Sequence, residues 1–308
     1  MLNLDDTQRE MLRELTGTDD VSGGAFNVRT DGESAGRQST KNIRIEPKTD
    51  KSGIDIHIAP GTKQDKVHIP VMLTKSGHRE VVYNDFFVGE GADVEIVAGC
   101  GIHNCGGLDS EHDGVHRFHV GKNARVRYVE KHFGSGDGKG KRILNPGTEV
   151  HLAEGSFMEM EMSQIRGVDD TVRTTVAELG AHARLVVRER LMTHEKQHAV
   201  STYEVRLNGE GASADVVSRS VAKDDSFQKF DAKLLGNAPC TGHTECDSII
   251  MDRGRILAVP GLEANHVDAA LVHEAAIGKI AGEQILKLRT LGLTEEEAEA
   301  AIIDGFLK

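Results

Sequence analysis

Apolar and polar residues alternate along most of this chain. At 94–96, 126–128 and 158–160 an apolar residue alternates with a charged one, the period of a β-strand with one covered face. The alternating stretches follow small-residue turns that recur: VGEGADVEIV from Val88, VGKNARVRYV from Val120, LAEGSFMEME from Leu152, LGAHARLVV from Leu179 and NGEGASADVV from Asn208. Counted at Gly91, Asn123, Gly155, Ala181 and Gly211, the turns lie 32, 32, 26 and 30 residues apart. A repeat of this length marks a solenoid, in which each unit has an apolar side that only its neighbours can cover. Further strands fall between the turns, at 79–83 and 171–176. An antiparallel sandwich is the alternative, but its hairpins would place strands about every 8–12 residues. The stretch GSGDGKGKR, 134–142, reads as a flexible loop.

The ends have a different period. Residues 5–15 predict a short helix with Met11, Leu12 and Leu15 on one side. From Asp268 onward Ile277, Ile280, Ile285, Leu288 and Leu291 form a helical stripe that stops at Gly292. Thr294 and Glu297 then form a capping box for a second helix through Ile303. This hairpin displays Leu293, Ile302, Ile303, Phe306 and Leu307, either to cap the solenoid or to dock a partner. The expected organisation is an irregular and helical segment at 1–40, a β-helix core at 41–267 and a helical region at 268–308.

Composition narrows the function. The 308 residues include no Trp and carry a net charge of −12, which speaks against nucleic acid or an anionic membrane as partner. No apolar run is long enough to span a bilayer, and the acidic start lacks a signal pattern, so a cytoplasmic protein is expected. In a reducing compartment cysteines are more often chemical than structural. They form two pairs, Cys100/Cys105 and Cys240/Cys246, with His103 and His243 close by in sequence. The spacings C-x4-C and C-x5-C leave a zinc site and a Cys–His catalytic pair both open. His112, His116 and His119 read as solvated loop residues. The P-loop template fails, because Ser135 and Arg142 stand where it needs Gly and Ser or Thr. From spacing alone, His273 and Glu274 read as a cap and a favourable charge at a helix start.

The tail VHEAAIGKIAGEQILKLRTLGLTEEEAEAAIIDGFL closely resembles the C-terminus of the Suf B/D family of iron–sulfur cluster assembly scaffolds. In that family an H-[EG]-A-[ST]-x-[GS]-[RK]-[IL] segment precedes an RGLSEEEA…IIxGF helix pair; Ala276 replaces the Ser or Thr. VGEGADVEIVAGC, VGKNARVRYV and ECDSIIM are similar to the family's EGAEV…EGC, ENARVRYT and QCDSMLI segments, in the same order from about residue 80 to the end. Region 1–40 matches poorly, and the chain looks like a compact archaeal-type member of a minimal two-component system. The resemblance implies a mainly β fold, a right-handed parallel β-helix flanked by helices. It implies a homodimer, because β-helix domains of the family pair. A separate ABC-type ATPase of the Suf C kind would dock on the C-terminal helices through Leu293, Ile302, Phe306 and Leu307.

The scaffold itself would not be an enzyme, and its cofactor would be a transient iron–sulfur cluster. Cys100 matches the family's sulfur acceptor and Cys246 its interface cysteine. His273 matches a shared histidine, and Glu274 is B-like, though Val272 stands where B-like chains carry Glu. Together Cys246, His273 and Glu274 would hold the cluster or its metal. Cys105 and Cys240 have no counterpart and, with His103 and His243, form a secondary set. The sulfur donor stays open. The other function class is a metal-dependent β-helix enzyme or a zinc-binding structural protein.

Overall fold

The structure, a computed structural model, describes residues 2–308. Strand accounts for 58% of the chain, wound into a β-solenoid of about 8 turns with three short helices at the ends. Each full turn contributes one strand to each of two ten-stranded, mainly parallel sheets. The first sheet stacks Asp93–His103, Arg125–Ser135, Phe157–Arg166, Arg184–Thr193, Ala212–Ala222, Cys240–Ile250 and Ala269–Gly278. The second stacks Arg79–Val88, Ser110–Val120, the broken rung Arg142–Leu144 and Gly147–Leu152, Asp170–Leu179, His198–Leu207, Phe227–Gly236 and Arg255–Ala264. Their inner faces enclose one continuous core, including Ile96, Phe118, Tyr128, Met160, Leu185, Val216 and Leu234.

The repeat positions occupy the left-handed turns expected of them, with one shift. Gly91, Asn123, Gly155 and Gly211 have φ of 63, 55, 68 and 69°, but the fourth turn falls on His182 at 56° rather than on Ala181. The loop at 134–142 is not loose. Gly138 and Gly140 donate to the carbonyls of Asn104 and Gly106, so it lies on the corresponding loop of the preceding turn.

Helix α1 (Asp6–Thr16) begins with a capping box of Asp5 and Gln8, and it buries Met11, Leu12 and Leu15. It covers the outer face of Asp93–His103, where a Cβ on Gly101 would lie 3.0 Å from Met11 Cε and one on Gly99 3.0 Å from Leu15 Cδ2. Leu15 is fully buried. Leu15→Ala should therefore cost about 3 kcal/mol, read as a lowered denaturant midpoint with an unchanged slope.

At the other end the expected boundary moves. Residues 269–278 form a strand rather than helix, pairing with Cys240–Ile250 over its length. Their helix-forming Ala and Glu residues yield to sheet pairing, because tertiary context overrides weak propensity. Helix α2 is Gly282–Thr290 and α3 is Glu295–Phe306, the latter capped by Thr294 and Glu297. Ile303 and Leu307 turn inward onto Val221, beside Met192, Ile249 and Met251. Leu307 is thus spent on packing the hairpin to the solenoid's flank. Leu293, Ile302 and Phe306 stay partly exposed, whereas Leu286 and Leu291 are the most exposed apolar residues of the hairpin, at 61 and 72%. The hairpin does not cap the solenoid. The two final strands remain as edges, with Leu257, Val259, Leu262, Val272 and Ile277 exposed.

Candidate functional site

Register in the first sheet places the inward residues in rows along the solenoid axis. One row runs Cys100, His132, Gln164, Leu191, Ser220, Ser248. The next runs Ala98, Glu130, Met162, Glu189, Ser218, Cys246, Ala275. A third ends Val216, Thr244, His273. Five strand spacings separate Cys100 from Cys246, about 24 Å. The second sheet faces these rows with Glu80 and His112 in one line and Arg173 and Ser201 in another.

Polar side chains concentrate in this lumen. Cys100, His112, His116, Glu130 and His132 line a closed space that has no room for a water molecule. His112 Nδ1 lies 3.1 Å from Glu80 Oε1, and Arg29 Nη2 donates to Glu80 Oε2 at 2.9 Å. Burial would raise the Cys100 thiol, but His112 and His132 outweigh it and bring the thiol down to about 7. Burial would lower His112; Cys100 and Glu80 outweigh that and push it up to about 10. Glu80, also against burial, falls to about 2 through His112 and Arg29. Thiolate, imidazolium, carboxylate and guanidinium therefore alternate. This is the pattern of a nucleophile, its base and an orienting group.

The chain of contacts continues toward Cys246. Glu130 accepts from Arg173 Nη1, and from Tyr128 at 2.8 Å. Its carboxyl is held well below the usual range, burial being outweighed by Arg173 and His132. Two pulls meet at His132. Glu130 and Cys100 raise its affinity for a proton against burial, whereas Arg173 Nη2, 3.2 Å from Nδ1, needs that nitrogen as acceptor. Glu189 lies 3.7 Å from Arg173 Nε and accepts from Ser201, Tyr203 and Ser218 at 2.6, 2.9 and 2.8 Å. Ser218 is the register neighbour of Cys246, whose Sγ is 3.6 Å from Ser248 Oγ. Burial raises the Cys246 thiol. Of the three buried cysteines, the two that join this chain of contacts thus differ in kind, an ionisable thiol at Cys100 and a neutral one at Cys246.

The expected loop histidines divide. His112 and His116 are buried strand residues facing the lumen, and only His119 is exposed. SEHDGVHRFHV alternates with period 2, so the strand was legible, but its inner face is half polar and masks itself as a loop. Spacing also misplaced one stack. Cys246 pairs with Ala275, and His243 with Val272, three positions from the expected neighbour. The strand still brings His273 to the inner face, one turn from Cys246, where its Nδ1 meets Thr244 Oγ1 at 2.7 Å. Glu274 points to the outer face instead. His273 and Glu274 lie mid-strand rather than at a helix start. Cys105 is exposed with its Sγ 3.1 Å from His103 Nε2, and Cys240 is buried in the core; neither touches the lumen row. The residues missed in the sequence are Glu80, Glu130, His132, Arg173 and Glu189.

A cavity of about 900 Å³ lies elsewhere, on the outer face beside a stack of His57, Phe87, His119 and His151 rings spaced 4.8, 5.1 and 5.3 Å. Among the described residues no helix is long and apolar enough to cross a membrane.

Known proteins share this arrangement's sequence. The family description "SUF system FeS cluster assembly, SufBD core domain" matches residues 73–306. An "Iron-sulfur cluster assembly SufBD family protein" of Archaeoglobus fulgidus is 31% identical over 272 residues, covering 86% of this chain and 70% of its own. One from Methanothermobacter thermautotrophicus is 30% identical over 235 residues, covering 74 and 55%. One from Methanocaldococcus jannaschii is 26% identical over 246 residues, covering 78 and 76%. The chain thus spans between about half and three quarters of these relatives' lengths.

Proposed function

Because this chain belongs to the SufBD family of the iron–sulfur cluster assembly system, we propose that it is the scaffold on which sulfur and iron meet. The observation that carries the reading is the buried chain of polar contacts across two adjacent rows, from an ionisable Cys100 through Glu130, Arg173 and Glu189 to a neutral Cys246. Cys100 accepts sulfur: its thiolate attacks the outer sulfur of a donor persulfide, the donor leaves as a thiolate, and Cys100 becomes the persulfide. His112 holds the positive charge opposite. The surrounding groups shield the new persulfide from water. The lumen is packed, so sulfur passes toward Cys246 only when the row shifts.

Cys246 and His273 supply one thiolate and one imidazole per chain, too few for the usual four-cysteine cage. The exposed edges of the last turn support completion by a second copy, since long unpaired strands are templates for pairing. A two-fold axis there would double the ligand set. The iron–sulfur cluster is cargo, built and released. A separate ABC-type ATPase docks on the α2–α3 hairpin, where Leu286, Leu291, Leu293, Ile302 and Phe306 offer apolar surface.

Two experiments test the reading. Deleting residues 284–308 should abolish co-purification with the co-expressed ATPase and leave the solenoid's circular dichroism intact; retained binding would remove the hairpin from the account. Cys246→Ser and His273→Ala, reconstituted without oxygen, should each lose most bound iron and the visible absorption of the wild-type dimer. Full iron content in both would place the cluster elsewhere.

A further inference from the structure

The outer face of the last two turns carries a second donor set, separate from the lumen. His243, Glu245 and Glu274 each offer one ligand atom, and these atoms lie within 4.8 Å of one another. Register explains the convergence. Asp215, His243 and Val272 share one outward row, and Val217, Glu245 and Glu274 share the next, so Glu274 sits beside Glu245 and diagonally across from His243. Asp215 Oδ1 holds His243 Nδ1 at 2.8 Å. That contact fixes the ring orientation and leaves Nε2, 3.6 Å from Glu274 Oε2, free to face the carboxylates. A carboxylate behind an imidazole ligand is the usual outer support of a protein metal site.

We propose that His243, Glu245 and Glu274 form a mononuclear site for a first-row divalent cation, with Asp215 as its positioning residue. One imidazole and two carboxylates without a thiolate suit Fe²⁺, Mn²⁺ or Zn²⁺ better than Cu⁺ or a cluster, and the imidazole disfavours Ca²⁺ and Mg²⁺. Three protein ligands on an open sheet face leave positions for water, so the ion exchanges readily. The site lies on the opposite face of the same strands that carry Cys246 and His273 inward. An ion held there is close to the cluster position yet screened from sulfide by the sheet. Its identification as ferrous iron waiting for sulfur rests on the scaffold reading; its existence as a cation site does not.

The test is anaerobic titration of the full-length protein with Co²⁺, followed by competition with Fe²⁺. One saturable Co²⁺ site per chain is expected, with ligand-field bands and no sulfur-to-metal charge-transfer absorption. His243→Ala and Glu274→Gln should each weaken it at least tenfold, and Asp215→Asn about tenfold. Cys246→Ser should leave it unchanged. The proposal is overturned if no saturable site free of thiolate absorption appears, or if His243→Ala binds like wild type. Those last results would leave the scaffold reading standing, because it is judged by cluster content in the Cys100 and Cys246 variants.

Discussion

His112→Ala should deplete the ionised form of Cys100 at neutral pH. With the thiol at about 7 in the wild type, about half of it is thiolate at pH 7. Removing the imidazolium leaves His132 alone against burial, so the thiol moves up from about 7 toward its ordinary value of 9.0. The thiolate fraction at pH 7 should then fall from about half to a few per cent, roughly a tenfold loss or more. The measurement is the ultraviolet thiolate absorbance against pH, taken as the difference from Cys100→Ser, which needs no reagent to reach the buried sulfur. A titration near pH 7 that persists in His112→Ala would remove His112 from the site. Glu80→Gln should give an intermediate shift, since it leaves His112 in place but without its carboxylate.

Arg173→Met should be the most destabilising single change in the lumen. Arg173 is 3% exposed and serves Glu130 and Glu189, which are 2 and 5% exposed. Removing it leaves two buried carboxylates without their cation, at a cost of about 3–5 kcal/mol by chemical denaturation. The pH dependence separates this from lost packing. In the wild type the Glu130 carboxyl is held below its ordinary 4.5, so its contribution is complete above that pH and is lost as pH falls below it. Without Arg173, burial favours the protonated acid, and the folded-state value rises above the unfolded one. The variant's stability should therefore fall as pH rises from about 5 to 8, whereas the Glu130 contribution in the wild type is flat over that range. A variant equally destabilised across the range would show that Arg173 matters for volume alone.

The solenoid was legible because its determinants are local and periodic. Turns at Gly91, Asn123 and Gly155 need a left-handed residue, and the capping boxes at Asp5 and Thr294 are short-range. What alternation could not supply is which face is inside. At 171–173 the rule that charge points outward fails, because Val172 is 51% exposed while Arg173 is buried. The same inversion hid Glu130, His132 and Glu189, whose partners lie one or more turns away in sequence. Cys100, Cys246 and His273 were singled out by resemblance, and the fold places all three side chains on the inner face. Glu274 was found too, but the pleat turned it to the opposite face, which no spacing count separates from its neighbour once the register is off by three.

On the proposed reading, Cys100 takes up the sulfur that becomes part of a cluster. Its most direct test is the iron and acid-labile sulfide content of Cys100→Ser, purified without oxygen from cells that co-express the partner ATPase. The expected result is a folded protein with wild-type ATPase binding and less than about a tenth of the wild-type iron and sulfide, lost together. Wild-type iron and sulfide in Cys100→Ser would contradict it.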